Sequence, residues 1–335
     1  MAELEPVDLV LQGGGVKGVA LAGAVTVMLQ RYRVARVAGT SAGAILAALI
    51  AAGYDAAGVR AAMLDLNYRK VPDPARLPFV GTSLDLLMSN GLHSGAFILE
   101  WIGNKLADRN VYVFDDLRLD DDPGADPELA KDKGFRLVVT ATDVTRGRAL
   151  RLPWDYRAAF GVEPGQQSVA EAVRMSMSIP LFFRPCTKKD EGSGDVCTIV
   201  DGGVLTNFPL EIFDRRDGRC PRWPTLGIGV IPDLPGKDST VVPAYLTLTP
   251  LLRLLSSVLI TAVLGHDQTY LAQPENRDRL TRIDTEGVGI VEFGIDDARR
   301  DDLFRRGERA AQGFLDTWDW DAFRARYLPQ CAAAV

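Results

Sequence analysis

Ser41 has the strongest claim to chemistry in this sequence. It sits in Gly39-Thr40-Ser41-Ala42-Gly43, a Gly-x-Ser-x-Gly pentapeptide. Before it runs a short β-like stretch, Arg33–Ala38, and after it a run of helix formers, Ala44–Ala52, stopped by Gly53. A serine on a sharp strand-to-helix turn, with glycine two positions to either side, is the arrangement of a nucleophile elbow. Glycine at 39 and 43 permits the unusual backbone angles and the close approach of neighbouring chain that such a turn requires. A helix start behind the serine turns free N–H groups and a positive dipole end toward developing negative charge. The competing reading is a chance match in a small-residue helix start; the strand before and the helix after favour the elbow.

A second glycine cluster, Gln12-Gly13-Gly14-Gly15-Val16-Lys17-Gly18, lies between a buried-type strand, Val7–Leu11, and a helix, Val19–Leu29. Gly13, Gly15 and Gly18 form a literal Gly-x-Gly-x-x-Gly, so a nucleotide-binding oxidoreductase is one hypothesis. That use needs an acidic residue about twenty positions on to hold the ribose. No Asp or Glu occurs between Asp8 and Asp55. Arg31, Arg33 and Arg36 are available for a 2′-phosphate, but the second strand ends in the serine elbow. The better use of Gly13, Gly14 and Gly15 is an oxyanion hole, in which backbone N–H groups converge on one small space. Two turns after the first and second strands fall on the same carboxyl edge of a parallel sheet, where ligand crevices form.

A serine hydroxyl needs a base. The chain holds only two histidines, His93 and His266, and neither stands at a recognisable strand end. Asp201 does: it closes a strand, Val196–Val200, and is followed by Gly202 and Gly203. An isolated Asp-Gly-Gly is usually a turn starter, but here it accompanies an elbow and a glycine loop. A lone carboxylate is a weak base, so the proton must move as the serine oxygen bonds to a carbonyl, and such a dyad leans on the oxyanion hole.

With these blocks in order, the sequence resembles the patatin-like phospholipase family. Gly13-Gly14-Gly15-Val16-Lys17-Gly18, Gly39-Thr40-Ser41-Ala42-Gly43 and Asp201-Gly202-Gly203 carry the resemblance, supported by Ala141-Thr142-Asp143, Ser176-Met177-Ser178-Ile179-Pro180 and Asn207-Phe208-Pro209. The resemblance covers roughly residues 7–232, and the last hundred residues carry no matched motif. It implies a three-layer α/β/α fold around a mostly parallel sheet and a Ser41–Asp201 dyad. It further implies an oxyanion loop at Gly13–Gly15, lipid acyl ester substrates such as phospholipids, and no cofactor or metal. Lys17 falls where the family carries Arg or Lys; it either supports the loop or meets a phosphate, or it is a surface lysine with a carboxylate neighbour. A non-catalytic lipid-binding relative is the other alternative, disfavoured by the intact Ser41 and Asp201.

The supporting elements can be read from periodicity and punctuation. Tyr54–Leu66 and Ser94–Asp108 read as helices, the latter with Ser94 as N-cap. Lys70–Asn90, with Pro72, Pro74, Pro78 and Gly81, reads as a loop that covers or admits to a site. The aspartates from Asp115 to Asp126 lack the calcium-loop pattern and read as a solvated loop. Phe135–Asp143 is a strand with Arg148–Leu152 as a short partner, Ser168–Met177 a helix broken by Pro180, and Leu226–Pro232 another strand. Ala244–Leu271 is apolar and largely helical after Pro250; Leu251–Gly265 is either a buried core helix or part of a lipid entrance. Arg282–Gly294 supplies one or two late strands. Asp297–Tyr327 supplies amphipathic helices burying Leu303, Phe304, Phe314, Leu315, Trp318 and Phe323.

No repeat or linker divides the chain, so one domain is expected over 1–330, with a motif-bearing core (7–232) and a C-terminal part (233–330). Of 335 residues, 47% are hydrophobic and the net charge is −6, so no overall basic field draws nucleic acid or anionic membrane. Contact with a membrane surface would therefore be transient and apolar. The acidic amino terminus has no apolar signal core, and the longest apolar run is too short to span a bilayer, which points to the cytoplasm, with signal-less export left open. Cys186, Cys197, Cys220 and Cys331 suit neither a zinc site nor a disulfide framework by spacing, so reduced thiols are expected.

Overall fold

The structure, a computed structural model, describes residues 4–73, 93–119, 133–215, 219–230 and 268–332. The expected cover loop beyond Asp73, the acidic loop from Asp120 onward and the apolar stretch Leu251–Gly265 lie outside the described residues, as does His266. The strands are β1 (Glu5–Leu11), β2 (Tyr32–Gly39), β3 (Leu137–Asp143), β4 (Arg148–Leu152), β5 (Cys186–Lys189), β6 (Val196–Asp201), β7 (Thr225–Val230) and β8 (Leu280–Ile283). The longer helices are α1 (Gly18–Arg31), α2 (Ala42–Ala51), α3 (Ala56–Asp65), α4 (Ala96–Ala107), α5 (Val169–Ser176), α6 (Asp297–Leu315) and α7 (Trp320–Tyr327).

The strands form one sheet whose hydrogen-bonded pairings run β5-β6-β3-β2-β1-β7-β8, with β4 on the other edge of β3. β3, β2, β1, β7 and β8 run parallel. β4, β5 and β6 are antiparallel additions at one side. β1 is buried on both faces: Val7, Leu9 and Leu11 enter the larger core, while Val10 enters a smaller one with Ala38, Val138, Phe208, Leu210 and Phe213. That two-sided burial is why β1 reads as nearly all apolar, its one buried charge, Asp8, being paired with Arg36. The larger core lies under α1, α2, α4 and α5. The smaller is closed by Phe208–Phe213 and by Tyr270 and Leu271 of a short helix, Gln268–Leu271. The fold is thus mixed α/β, a mostly parallel sheet flanked by helices.

All ten residues of α2 are buried, so this helix is apolar all round and its small side chains bring it close to the sheet. α1 crosses α6 with almost no side chain between them: a Cβ on Gly23 would strike the Phe304 carbonyl, and one on Gly307 the Ala20 carbonyl. α3 is capped by Asp55, whose carboxylate accepts from Gly58 N at 2.7 Å.

Three expectations are corrected. Ser94 does not cap α4 by itself; the carboxylate of Asp73 accepts from the Ser94 hydroxyl and from the N–H groups of Gly95 (2.8 Å), Ala96 (2.9 Å) and Phe97 (3.2 Å). β8 ends at Ile283, and the chain from Asp284 to Gly294 forms no strand but packs as irregular loop. Cys220 and Cys331 are not reduced thiols but are joined as a disulfide, their Cα atoms 5.5 Å apart although 111 residues separate them; sequence spacing carries no information on such proximity. Among the described residues no helix is long and apolar enough to cross a membrane.

The α1–α6 crossing generates a prediction. Gly307→Ala should force the two helices apart and lower stability by about 1–3 kcal/mol, as overpacking does. Urea unfolding checks it, and an unchanged midpoint would contradict the close crossing.

Candidate active site

Ser41 lies between β2 and α2 with φ 53° and ψ −122°, a positive φ that non-glycine residues rarely adopt. Holding such a conformation costs on the order of 1–3 kcal/mol, so the surroundings must enforce it. Thr40 N donates to the Leu11 carbonyl at 3.2 Å, and Gly43 N to the Thr40 carbonyl at 2.8 Å. The Ser41 N–H donates to the side-chain oxygen of Ser176 at 2.8 Å. Gly43 rests against the carbonyls of Leu11 and Gln12, and Gly39 against that of Gly43, so neither site has room for a Cβ. Ser41 itself is 4% exposed.

Asp201 arrives from the opposite direction. β2 pairs with Leu137–Val139 of β3, and β6 pairs with Ala141–Asp143 of the same strand. β4 spans Val139–Asp143 on the other edge, so β2 and β6 share one edge of β3 and meet end to end. Gly39 faces Val139 and Asp201 faces Ala141, with only Thr140 between. At that gap the hydroxyls of Thr40 and Thr140 share a hydrogen bond of 2.6 Å. Both also reach the Thr206 carbonyl, at 3.3 and 3.5 Å. Gly202 fits against Thr140, where a Cβ would collide.

One carboxylate oxygen of Asp201, Oδ1, accepts from Gly203 N at 2.7 Å. The other, Oδ2, is buried and has no hydrogen bond of ordinary geometry among the described residues. Burial pushes the Asp201 pKa up from 3.8 to about 7, while the adjacent Ser41 hydroxyl and the Gly203 N–H pull it back.

The glycine loop closes over the elbow. Gly13 lies against the Asn207 side chain, and a Cβ there would stand 3.3 Å from the Ser41 Cβ. Its N–H is spent on the Asn207 carbonyl at 3.3 Å. Of the three expected donors, Gly13 is therefore engaged, whereas Gly14 and Gly15 have no acceptor among the described residues, and neither has Ala42 at the start of α2. Gly15 takes φ 55°, and its Cα abuts the Ile290 carbonyl, which also accepts from Val16 N at 2.9 Å. Gly18 packs on Ala42. Lys17 is 3% exposed, so it is not a surface lysine. Asn207 and Ser41 both pack on Gly13, so the loop and the elbow are in direct contact.

The His93 ring is engaged by other groups: its Nδ1 is 2.9 Å from the Asp73 carbonyl and it leans on Phe182 at 4.5 Å. A narrow apolar cavity of about 20 Å³ borders Ser41, Ala42 and Gly15, lined also by Ile45, Met63, Met177 and Phe293. Sequence reasoning did not find Thr140, the engagement of Asn207 with Gly13, or the Ser176 contact. Asn207 and Ser176 did lie in stretches that carried the resemblance, but nothing in their types specifies these partners. Ile290 and Phe293 come from the part of the chain without motifs.

The comparisons with known proteins agree with this architecture. The chain is 33% identical over 324 residues to the YqhO protein of Bacillus subtilis (strain 168), covering 94% of this chain and 99% of that one. It is 21% identical to protein R571 of Acanthamoeba polyphaga mimivirus, covering 93% and 94%. Among solved structures it is similar in fold to VipD from Legionella pneumophila, with a TM-score of 0.53 and 18% identity, over 94% of this chain and 67% of that one. ExoU in the ExoU–SpcU complex from the type III secretion system of Pseudomonas aeruginosa gives 0.52 and 16%, with 94% of this chain but 52% of that one covered. The sequence model of the patatin-like phospholipase family matches residues 9–214, a span holding the glycine loop, the elbow and Asp201, and the chain belongs to that family.

Proposed function

We propose that this chain is a serine lipid acyl hydrolase of the phospholipase A or lysophospholipase type, acting through a dyad of Ser41 and Asp201. The observation that carries the reading is the end-to-end meeting of β2 and β6 on one edge of β3, which sets a strained serine beside a buried carboxylate with one oxygen unpaired among the described residues. Ser41 Oγ attacks an ester carbonyl while Asp201 Oδ2 takes its proton. The N–H groups of Gly14 and Gly15 receive the oxyanion, with the start of α2 behind them. Asp201 passes the proton to the leaving alcohol oxygen as the ester C–O bond breaks. A water, giving its proton to Asp201, then attacks the acyl-enzyme, and the proton returns to Ser41 as the fatty acid leaves.

A carboxylate with a pKa of about 7 suits this role, because a base works best when its pKa lies near the operating pH. The apolar cavity beside Ser41 supports an acyl chain on that side. Its volume admits about one water, so a chain enters by displacing flexible side chains such as Met63 and Met177. With a net charge of −6 the protein meets a phospholipid surface transiently and by apolar contact. Lys17, buried and with its N–H on the Gly14 carbonyl at 3.1 Å, supports the glycine loop.

Replacing both histidines separates a dyad from a triad. His93→Ala/His266→Ala should keep most soluble-ester hydrolysis, whereas Asp201→Asn should lose about 10²–10⁴-fold in kcat with the fold intact. A folded histidine-free protein no more active than Ser41→Ala would return an imidazole to the site. In the wild type, kcat/KM should climb about tenfold per pH unit up to about 7 and then level, since Asp201 must be ionised to accept the proton.

Stability gives a readout independent of turnover. The folded pKa of Asp201 lies above its ordinary value, so the native state keeps a proton that the unfolded chain releases. Its contribution is full below about pH 4 and is lost as pH rises to about 7, at about 1.4 kcal/mol per pH unit. Asp201→Asn should remove that slope, so the difference between variant and wild type grows from pH 4 to 7 and is flat above. Parallel stability curves over that range would contradict a buried, proton-holding Asp201.

A further inference from the structure

Ser176, the last residue of α5, is fully buried, and its Oγ accepts from the Ser41 N–H at 2.8 Å. At φ 53° and ψ −122° that N–H belongs to neither the β2 ladder nor the α2 ladder. Ser176 therefore supplies the acceptor that the elbow's peptide group would otherwise lack, and fixes the direction of that peptide plane. Two residues on, the Ser178 carbonyl accepts from the Asp201 N–H at 2.9 Å. One turn of chain thus grips the main chain of both members of the pair.

The turn is itself held. Arg174 is 6% exposed and donates to Ser178 Oγ at 2.7 Å and to the carbonyls of Ser94 at 2.7 Å and Arg184 at 2.9 Å. Ser178 Oγ donates back to the Arg174 carbonyl at 3.0 Å. The Arg174 guanidinium also lies over the Phe183 ring at 5.3 Å. A charge buried this deeply and spent on neutral oxygens of three segments serves to lock geometry. Met177, between the two serines, lines the cavity at Ser41.

We infer that residues 174–178 form a clamp that sets the distance and angle between Ser41 and Asp201, with Ser176 as the positioning residue that aims the nucleophile. The inference rests on the Ser41–Asp201 reading of the reaction. Ser176 touches neither substrate nor the reacting atoms; it acts through the Ser41 backbone.

The test compares Ser176→Ala, Ser176→Thr and Val173→Ala, the last a truncation of a buried residue on the same helix, with wild type. The measurements are kcat and KM on a soluble carboxylic ester, and hydrogen exchange of the Ser41 amide in the folded full chain. Ser176→Ala should lower kcat about 10–100-fold with KM within about twofold, since a small misplacement of a reacting group costs that much. Ser176→Thr, which keeps the hydroxyl, should recover kcat to within about fivefold of wild type. Val173→Ala should lose comparable thermal stability yet keep kcat within about threefold. The Ser41 amide should exchange at least about tenfold faster in Ser176→Ala and not in Val173→Ala. If Ser176→Ala does not fold, Ser176→Thr decides by the same two readouts, and a folded Ser176→Thr that falls as far below wild type as Ser41→Ala overturns the clamp. A kcat for Ser176→Ala within threefold of wild type, or an equal fall in Val173→Ala, also overturns it. If the wild type hydrolyses no ester, the dyad reading fails separately, and unchanged Ser41 exchange in Ser176→Ala overturns the clamp on its own.

Discussion

The structure turns on one register. β2 and β6 occupy the same edge of β3 from opposite directions, and their ends are separated by a single residue of that strand, Thr140. Two chain ends can meet so closely only if the next residue on each is small or the chain turns sharply there. Thr40 and Thr140 fill the gap with a shared hydrogen bond, Gly202 yields to Thr140, and β2 turns at once into the elbow. A parallel β6 would carry its last residue away from the end of β2. The antiparallel addition is what brings a carboxylate at a strand end to the same gap as the end of β2.

That arrangement concentrates two unfavourable features in one place: a serine at positive φ and a carboxylate whose charge is opposed by burial. Both persist because the surroundings are rigid. α2 is buried along its whole length, and α1 leaves the glycine loop already packed on Ala42 through Gly18. The loop's far side is closed by Ile290, whose carbonyl takes the Val16 N–H, while the N–H groups of Gly14 and Gly15 meet no acceptor among the described residues. The same segment sends Phe293 to the cavity beside Ser41. Residues outside the matched family span therefore shape the glycine loop and the cavity beside Ser41.

Much of this was legible in the sequence, for a definable reason. Ser41, Asp201 and the glycine loop each sit at a break between a regular element and a turn, and such breaks leave a local signature of glycine beside apolar runs. β1, β2, β3, β7, α1, α2 and α6 were likewise legible from apolar periodicity. What escaped was long-range. Nothing local tells a parallel from an antiparallel β6, or shows that Cys220 meets Cys331, or that Asp73 caps α4, whose first residue is 23 positions on. Asp284–Gly294 has strand-like composition, but after β8 it is spent on packing against Gly15 and the cavity, not on a ladder. Gly13 reads like its two neighbours, yet its N–H is taken by Asn207, a partner almost two hundred positions away.

The central claim is that Ser41 is the nucleophile and Asp201 its base. Reaction with a fluorophosphonate, followed by peptide mapping, tests this most directly, because the reagent needs only an activated serine and no lipid surface. The account predicts one adduct, on Ser41, formed at a rate that rises with pH to about 7 and collapses in Asp201→Asn. An adduct on another serine, or a Ser41 adduct that forms equally fast in Asp201→Asn, would contradict it.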